Sequence, residues 1–183
     1  MINQPELLEE MEKTQKEFWN ISKETGNFIN LFLKAMIAKT ALEIGTSNGY
    51  SSIWIAEALK ETGGHLYTIE RWEERADIAL NNFKNAELSE FISLYKGDAC
   101  ELIKEKIDFN LDFVFIDAQK RQYIDYFRLV HPFLTKGGVI VADNILSHAE
   151  KVKEFVDAIK SHSDYQVEII NLSAGLLIAY KIN

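Results

Sequence analysis

An acidic, glycine-containing loop in the first third of the chain could bind a nucleoside. Glu43, Gly45 and Gly49 form the pattern E-x-G-x-x-x-G at the end of an apolar run, and Glu70 closes the next apolar run. Such glycines permit a turn that aims backbone N–H groups at a ligand, and a carboxylate about 20 residues further on can receive ribose hydroxyls. Because Glu43 would repel a pyrophosphate, we predict a nucleoside ligand without phosphates. The alternative role for Glu70 is to cap the helix that starts near Trp72.

Further oxygen-bearing side chains follow the later apolar runs. Asp98 follows the third run, Asp117 the fourth, and Asp143 with Asn144 the fifth. If these runs are parallel strands, their carboxyl ends meet at one rim of the sheet, where so many acids need a cation or hydrogen-bond donors. Two carboxylates and an amide oxygen are hard ligands that suit Mg²⁺. The alternatives are a plain turn at Asp98, a helix cap at Asp117, and a strand-ending turn at Asp143 and Asn144.

The chain ahead of the loop has the pattern of two helices. Leu7, Leu8, Met11 and Phe18 have the spacing of an amphipathic first helix, and a second helix is predicted over 24–38. Two prolines and nine glycines leave little room for a linker. We therefore predict a single domain over residues 1–183, with N-terminal helices in 1–38 and an α/β core in 40–183.

Alternating strands and helices follow. Five short apolar runs predict parallel strands, at 41–44, 65–69, 92–95, 111–116 and 139–142. Each is followed by a helical pattern, and the first of these helices begins at Ser51. After a helix near 150–161, the runs 165–170 and 175–181 are joined by a connection of hairpin length, which predicts an antiparallel pair.

Four segments resemble known methyltransferases. Residues 41–51 (ALEIGTSNGYS) resemble the first motif of class I methyltransferases, which bind S-adenosylmethionine. The segments 115–123 (FIDAQKRQY), 137–144 (GGVIVADN) and 21–28 (ISKETGNF) are similar to metal-dependent O-methyltransferases of the catechol and caffeoyl-CoA type. The resemblance implies a Rossmann-like, mostly parallel α/β sheet of seven strands in the order 3-2-1-4-5-7-6, with the seventh strand antiparallel.

The resemblance also assigns roles to side chains. It implies that Asp98 reads the adenine and that Lys120 is the catalytic base. Asp117, Asp143 and Asn144 would hold Mg²⁺ or another divalent cation. The residues expected to contact S-adenosylmethionine are Glu43, Gly45, Thr46, Ser51, Glu70, Asp98, Ala99 and Asp117. Lys120 follows Asp117 by one helical turn, where nearby positive charges would favour the neutral amine that accepts a hydroxyl proton. On its own, a lysine here would more often be a solvent-facing charge.

Three functions are compatible with these residues. The first is S-adenosylmethionine- and metal-dependent O-methylation of a small molecule whose hydroxyl adjoins a second oxygen. The second is methylation of 5-hydroxyuridine in tRNA, because some related bacterial proteins carry out that reaction. The third, a nucleoside-binding protein without catalysis, is disfavoured by the intact Asp117, Lys120, Asp143 and Asn144. The segment 147–152 diverges from the family and leaves the acceptor open.

Composition and sequence also indicate the acceptor class, the location and the assembly of the protein. The 183 residues carry a net charge of −8, which would repel a polyanion at long range and makes tRNA the less favoured acceptor. Cys100 is the single cysteine, and the acidic start of the chain does not resemble a signal peptide, so we expect a cytoplasmic protein. The longest apolar stretch, 29–38, is too short to span a membrane. Phe18 and Trp19 near the end of the first helix, together with the resemblance, predict a homodimer.

Overall fold

Seven strands form one sheet in the order β3-β2-β1-β4-β5-β7-β6. The computed structural model describes residues 5–183, so the first four residues of the predicted helical segment lie outside the described residues. The strands are β1 (Thr40–Ile44), β2 (His65–Glu70), β3 (Ile92–Lys96), β4 (Leu111–Ile116), β5 (Leu134–Ala142), β6 (Tyr165–Ile170) and β7 (Leu176–Lys181). β7 pairs antiparallel with β5 and β6, and the other pairs are parallel. The predicted fold class and strand order are confirmed.

Helices precede the sheet and connect its strands. In the described part of the chain they are α1 (Pro5–Lys13), α2 (Gln15–Phe18), α3 (Lys23–Met36), α4 (Tyr50–Thr62), α5 (Glu73–Asn85), α6 (Ala99–Lys106), α7 (Tyr123–Val130) and α8 (Ala149–Ser161). Ser22 begins α3 as its N-cap, because its hydroxyl accepts the backbone N–H of Thr25 at 3.1 Å.

The sheet carries an apolar core on each face. Neighbouring residues of β4 illustrate this, since Phe113 belongs to one core and Val114 to the other, and both are fully buried. The first core includes Leu33 of α3 and Ile53 of α4, and the second includes Phe155 of α8. A strand buried on both faces has a continuous apolar sequence, which is why these strands show no polar alternation.

Two elements differ from the prediction by more than two residues. The predicted first helix is divided at Thr14, where the Thr14 hydroxyl and the Asn20 amide both donate to the carbonyl oxygen of Met11, at 3.0 and 3.2 Å. These donors satisfy a carbonyl that a continuous helix would have used. β5 begins at Leu134 instead of residue 139, because the strand passes through an irregular stretch at Gly137, whose φ is +84°.

Candidate active site

The loop between β1 and α4 turns at two glycines. Gly45 has a φ of +105° and Gly49 a φ of +87°, values in the left-handed region that favours glycine. A Cβ on Gly45 would collide with the backbone carbonyl of Asp117, and one on Gly49 with the ring of Phe83. Gly45 thus lets the loops after β1 and β4 touch through their backbones, and Gly49 lets the Phe83 ring pack against the loop.

The backbone N–H groups of this loop bind protein acceptors. The N–H groups of Gly45 and Thr46 donate to the carbonyl of Ile69, at 3.0 and 3.3 Å. The N–H of Ser47 donates to Oε2 of Glu70 at 2.7 Å. The expectation that the loop aims its N–H groups at the ligand is therefore wrong for these three amides, which fix the loop to the end of β2.

Glu43 supports the loop through hydrogen bonds from hydroxyl groups. Its fully buried carboxylate accepts hydrogen bonds from the hydroxyls of Ser51 at 2.6 Å, Thr68 at 2.6 Å and Ser52, and Thr46 lies 2.5 Å from the Thr68 hydroxyl. Burial raises the pKa of Glu43 to about 7. Glu43 is absent from the described residues that line the cavity, whereas Thr46 and Ser51 are among them. Internal hydroxyls bind both oxygens of Glu43, so the structure gives this side chain a supporting role next to the loop, and its predicted cofactor contact stays a prediction.

Glu70 lies at the end of β2 and lines the cavity, with 6% of its surface exposed. Its Oε2 accepts the N–H of Ser47 and its Oε1 accepts the N–H of Trp72, at 2.7 and 2.8 Å. The second bond closes the turn before α5, which agrees with part of the alternative role considered for Glu70. A carboxylate oxygen can accept more than one hydrogen bond, so both oxygens can still receive hydroxyls from a ligand.

Asp98 and Ala99 form the next part of the cavity wall, at the start of α6. Oδ1 of Asp98 accepts the backbone N–H of Cys100 at 2.9 Å, so Asp98 is the N-cap of this helix. Gly97, with a φ of +147°, donates its N–H to the carbonyl of Glu70 at 2.9 Å. The capping bond occupies one oxygen of Asp98 and leaves the other for a ligand.

Asp117 and Lys120 pair at the end of β4. The Lys120 ammonium lies 2.7 Å from Oδ1 of Asp117, and each side chain is about 15% exposed. Lys120 also lies over the ring of Tyr123, with 5.4 Å from Nζ to the centroid. Both Asp117 and Lys120 line the cavity. The predicted base is thus held against a predicted metal ligand.

Asp143 and Asn144 follow β5. Asn144 has a φ of +66°, and its side-chain amide nitrogen donates to Oδ2 of Asp143 at 2.7 Å, which leaves the side-chain oxygen Oδ1 of Asn144 for a ligand. The hydroxyl of Tyr123 donates to the backbone carbonyl of Asp143 at 3.2 Å. Asn144 lines the cavity, and Asp143 lies behind it, with 3% of its surface exposed.

The oxygen set formed by Asp117, Asp143 and Asn144 fits a divalent cation. Oδ1 of Asp143 is buried and has no hydrogen-bond partner in the described part of the chain. Burial, and then the charge of Asp117, raise the pKa of Asp143 to about 7. A buried, unpartnered carboxylate oxygen beside a second carboxylate is destabilising unless a cation neutralises it. Carboxylate and amide oxygens are also the ligands that Mg²⁺ prefers.

One cavity of about 460 Å³ connects these groups. Its volume lies within the range of roughly 300–1,000 Å³ that is typical of ligand pockets. The N-terminal residues 18–21 complete it on one side, and the hydroxyl of Ser47 donates to the carbonyl of Phe18 at 2.7 Å. The cavity therefore joins the predicted nucleoside-binding loop to the predicted metal ligands.

Several cavity residues were not indicated by any motif. Trp19 and Arg75 lie at the mouth, with the Arg75 guanidinium 4.3 Å from the Trp19 ring centroid. Trp72, to which the sequence assigned no role, lines the cavity and is 62% exposed. His148 lines it as well, and burial lowers the pKa of its imidazole. The one available signal for His148 was its position in the divergent segment 147–152.

Comparison with known proteins identifies the family of the chain. A family model described as O-methyltransferase matches residues 2–179. The chain belongs to this O-methyltransferase family. Its similarity to family members thus extends through both the cofactor loop and the predicted metal ligands.

Named O-methyltransferases match most of the chain. A catechol O-methyltransferase from Niastella koreensis is 33% identical over 74% of this chain, and a caffeoyl-CoA O-methyltransferase from Zinnia elegans is 34% identical over 78%. The chain covers 62% of the length of each of these relatives.

Solved O-methyltransferase structures share the fold. An O-methyltransferase from Bacillus cereus in complex with SAH has a TM-score of 0.88 at 26% identity, with 99% of this chain and 93% of that chain covered. TomG from Streptomyces achromogenes, in complex with SAM, has a TM-score of 0.89 at 25% identity, with 100% of this chain and 92% of that chain covered.

Across residues 5–183, no helix combines the length and apolar character needed to cross a membrane.

Proposed function

We propose that the protein transfers the methyl group of S-adenosylmethionine to a hydroxyl that adjoins a second oxygen, as in a catechol-like small molecule. The observation that carries this proposal is the placement of Glu70 and Asp98 in the same cavity as Asp117 and Asn144. The first pair suits the ribose and adenine of a nucleoside, and the second pair, with Asp143 behind it, suits a metal-bound acceptor. Two substrates that must react need such adjoining sites.

The cofactor assignment is supported from two directions. Glu70 lines the cavity at the end of β2, about 20 residues after the glycine loop, where nucleoside-binding α/β folds bind ribose. The B. cereus and S. achromogenes O-methyltransferases, whose folds match this one, were solved with SAH and SAM bound. We therefore assign the half of the cavity between Ser47 and Ala99 to S-adenosylmethionine.

Asp117, Asp143 and Asn144 would hold the divalent cation, which we propose is Mg²⁺. When bound, Mg²⁺ would supply a Lewis acid that lowers the pKa of the acceptor hydroxyl. The three side chains would fix the acceptor, because a cation with three protein ligands keeps positions for two adjacent substrate oxygens. Tyr123 holds this set in place through its bond to the Asp143 carbonyl.

Lys120 would accept the hydroxyl proton at Nζ. In the described structure its ammonium pairs with Asp117. Lys120 would therefore serve as a base only when another cation neutralises that carboxylate. The remaining task of the protein is alignment, since the sulfonium of the cofactor is already reactive. The fixed loops after β1 and β4 would hold the acceptor oxygen in line with the methyl carbon and sulfur.

A second candidate function, methylation of 5-hydroxyuridine in tRNA, is supported by the arginine and lysine side chains at and near the cavity. Arg71, Arg75 and Lys120 line the cavity together with Glu70, Asp98 and Asp117, and Arg121 and Lys151 line a depression next to Lys120 together with Glu150 and Glu154. In a chain with a net charge of −8, the basic side chains among them are the groups that would contact an anionic acceptor.

A methyl-transfer assay tests both candidates. The full chain is incubated with labelled S-adenosylmethionine, with or without Mg²⁺ and a chelator, and with catechols, caffeoyl-CoA or undermodified tRNA. Label in a small molecule, lost in chelator, is the expected result. Transfer to tRNA alone would favour the second candidate. Cofactor binding in calorimetry without transfer to any acceptor would leave the third function, nucleoside binding without catalysis.

We further propose a cytoplasmic homodimer. Trp19, Leu31 and Ile37 are exposed by 72%, 65% and 65%, which is unusual for large apolar side chains in the helical N-terminal part. Light scattering at micromolar concentration should show twice the 21.0 kDa chain mass, and a 21.0 kDa species alone would contradict the dimer. Cell fractionation would test the location.

A further inference from the structure

Two histidines and one aspartate meet outside the active site. His131 follows α7, His162 follows α8, and Asp164 directly precedes β6. One potential ligand atom from each lies within 4.8 Å of the others. All three side chains are partly exposed, so an ion could reach them from solvent. Within residues 5–183 this is the one group of three His, Cys, Asp or Glu side chains with such spacing.

This cluster lies at the opposite rim of the sheet from the cofactor cavity. The cavity lies where β1, β2, β4 and β5 end, whereas the cluster lies where β5 and β6 begin and β7 ends. The N–H of Ile182, just after β7, donates to the carbonyl of Asp164 at 2.7 Å. None of the three cluster residues lines the described cavity. The cluster therefore has no part in the proposed methyl transfer.

We propose that His131, His162 and Asp164 form a binding site for Zn²⁺, with water in the fourth position. Two imidazoles and one carboxylate, with an open position, are a ligand set that tetrahedral Zn²⁺ accepts. Imidazole nitrogens favour Zn²⁺ over Mg²⁺, which prefers oxygen. The ligand set thus distinguishes this site from the oxygen set of the active site.

The surroundings orient the two imidazole rings. Nδ1 of His131 lies 3.0 Å from the hydroxyl of Tyr165, which can accept an Nδ1–H and leave Nε2 for the metal. The ring of Phe127 lies 5.9 Å from each histidine ring, and the histidine rings lie 4.7 Å apart, between centroids. These contacts restrict both side chains before an ion binds.

Two features oppose binding and set its strength. The backbone N–H of Asp164 donates to Nδ1 of His162 at 3.2 Å, and this long hydrogen bond must break whichever ring nitrogen binds the metal. The Lys181 ammonium adds positive charge nearby, where it donates to the carbonyls of His131 and Leu134 at 2.9 and 2.8 Å. The Asp164 carboxylate offsets that charge.

Zn²⁺ at this position would join the connection before β5 to the connection before β6. These connections are far apart in the chain, so the unfolded protein lacks the preformed site. An ion that binds the folded state alone stabilises it by mass action. Zn²⁺ should therefore raise the melting temperature of the protein, and the rise should depend on these three residues.

The experiment uses the full chain without a histidine tag, first stripped with a chelator and then kept in excess Mg²⁺ to fill the oxygen ligands of the active site. Co²⁺ is added first, because its visible absorption reports its coordination geometry. Zn²⁺ is then added to displace the Co²⁺, and the Zn²⁺ affinity is measured by competition with a chromophoric chelator. The variants are Asp164→Asn and His162→Asn. His65→Asn is the control. His65 lies at the same rim of the sheet, but its ring contacts Ser93 and not the cluster.

The expected result is one Zn²⁺ per chain, with affinity at least about 10-fold lower in both cluster variants and unchanged in the control, since loss of even an indirect partner of a metal site weakens binding by that much. The proposal is overturned if the wild-type chain shows no visible Co²⁺ bands, or if both cluster variants bind Zn²⁺ as tightly as the wild type. Circular dichroism of each variant establishes that it is folded.

Discussion

The ammonium of Lys120 lies 2.7 Å from the carboxylate of Asp117, which precedes it by three residues, and both side chains line the cavity. This ion pair gives Asp117 a cationic partner in the absence of metal. A divalent cation bound by Asp117 would compete with the ammonium for the same oxygen, and the competition would free Lys120 to act as a base. Metal binding and base function would therefore be coupled through one carboxylate.

Lys120→Ala should lower turnover by about 10²–10⁴, the usual contribution of a positioned general base. Cofactor affinity should remain unchanged, while Mg²⁺ affinity should rise because a competing cation is removed. Raising the pH should partly restore the rate, since an acceptor that ionises in solution no longer needs the base. Lys106→Ala, which removes an exposed lysine in the last turn of α6, is the matched control. Rates are measured by methyl transfer and affinities by calorimetry; an unimpaired Lys120→Ala enzyme would exclude the base role.

Asp143→Asn should abolish turnover and the response to Mg²⁺, while S-adenosylmethionine binding remains. The same change should stabilise the metal-free protein by on the order of 1 kcal/mol, or about 2–4 °C in Tm, because it removes a buried charge beside Asp117. Tyr123→Phe, which removes the hydroxyl that donates to the Asp143 carbonyl, provides a milder comparison. Full activity of wild type in excess chelator would rule out the metal role of this residue.

Glu70→Ala should weaken S-adenosylmethionine binding by about 1.5–3 kcal/mol, the scale of a charge-assisted hydrogen bond. Part of this loss would come from the loop, because Glu70 accepts the N–H groups of Ser47 and Trp72. Glu73→Ala, an exposed glutamate at the start of α5, is the control. Calorimetry with the cofactor and with its demethylated product measures the effect, and equal affinities of variant and wild type would place the ribose elsewhere.

The buried Glu43 predicts a stability that falls as pH rises. Its pKa is raised from 4.5 to about 7 by burial, so between these values the folded chain holds a proton that the unfolded chain has lost. Its contribution to stability is present below about pH 4.5 and is lost up to about pH 7, by on the order of 3 kcal/mol. Urea unfolding at pH 5 and pH 8 should show a smaller difference for Glu43→Gln than for wild type. Equal differences would mean that Glu43 remains ionised throughout.

Much of the fold was predictable because each central strand is buried on both faces. Phe113 and Val114 contribute to different cores, so β4 appears in the sequence as a continuous apolar run with a clear end. The start of β5 was not predictable in the same way, since Gly137 and Gly138 interrupt the apolar pattern while the strand continues through them.

The site was predictable in its residue types but not in all of their contacts. The strand order places Asp117 and Asn144 at one rim, so their convergence followed from the topology. The direction of Glu43 did not follow, because a residue in a doubly buried strand can face either core. The contact between Ser47 and Phe18 joins segments that are far apart in the chain, so no local sequence pattern predicts it.

The missing side chain at Gly45 limits how the cavity could be redesigned. Because the backbones after β1 and β4 touch there, a substitution that reshapes one loop would displace the other, and donor and acceptor preferences could not be altered separately. Libraries aimed at new acceptors should spare this contact. They should diversify Trp19, Trp72 and His148, whose side chains line the cavity.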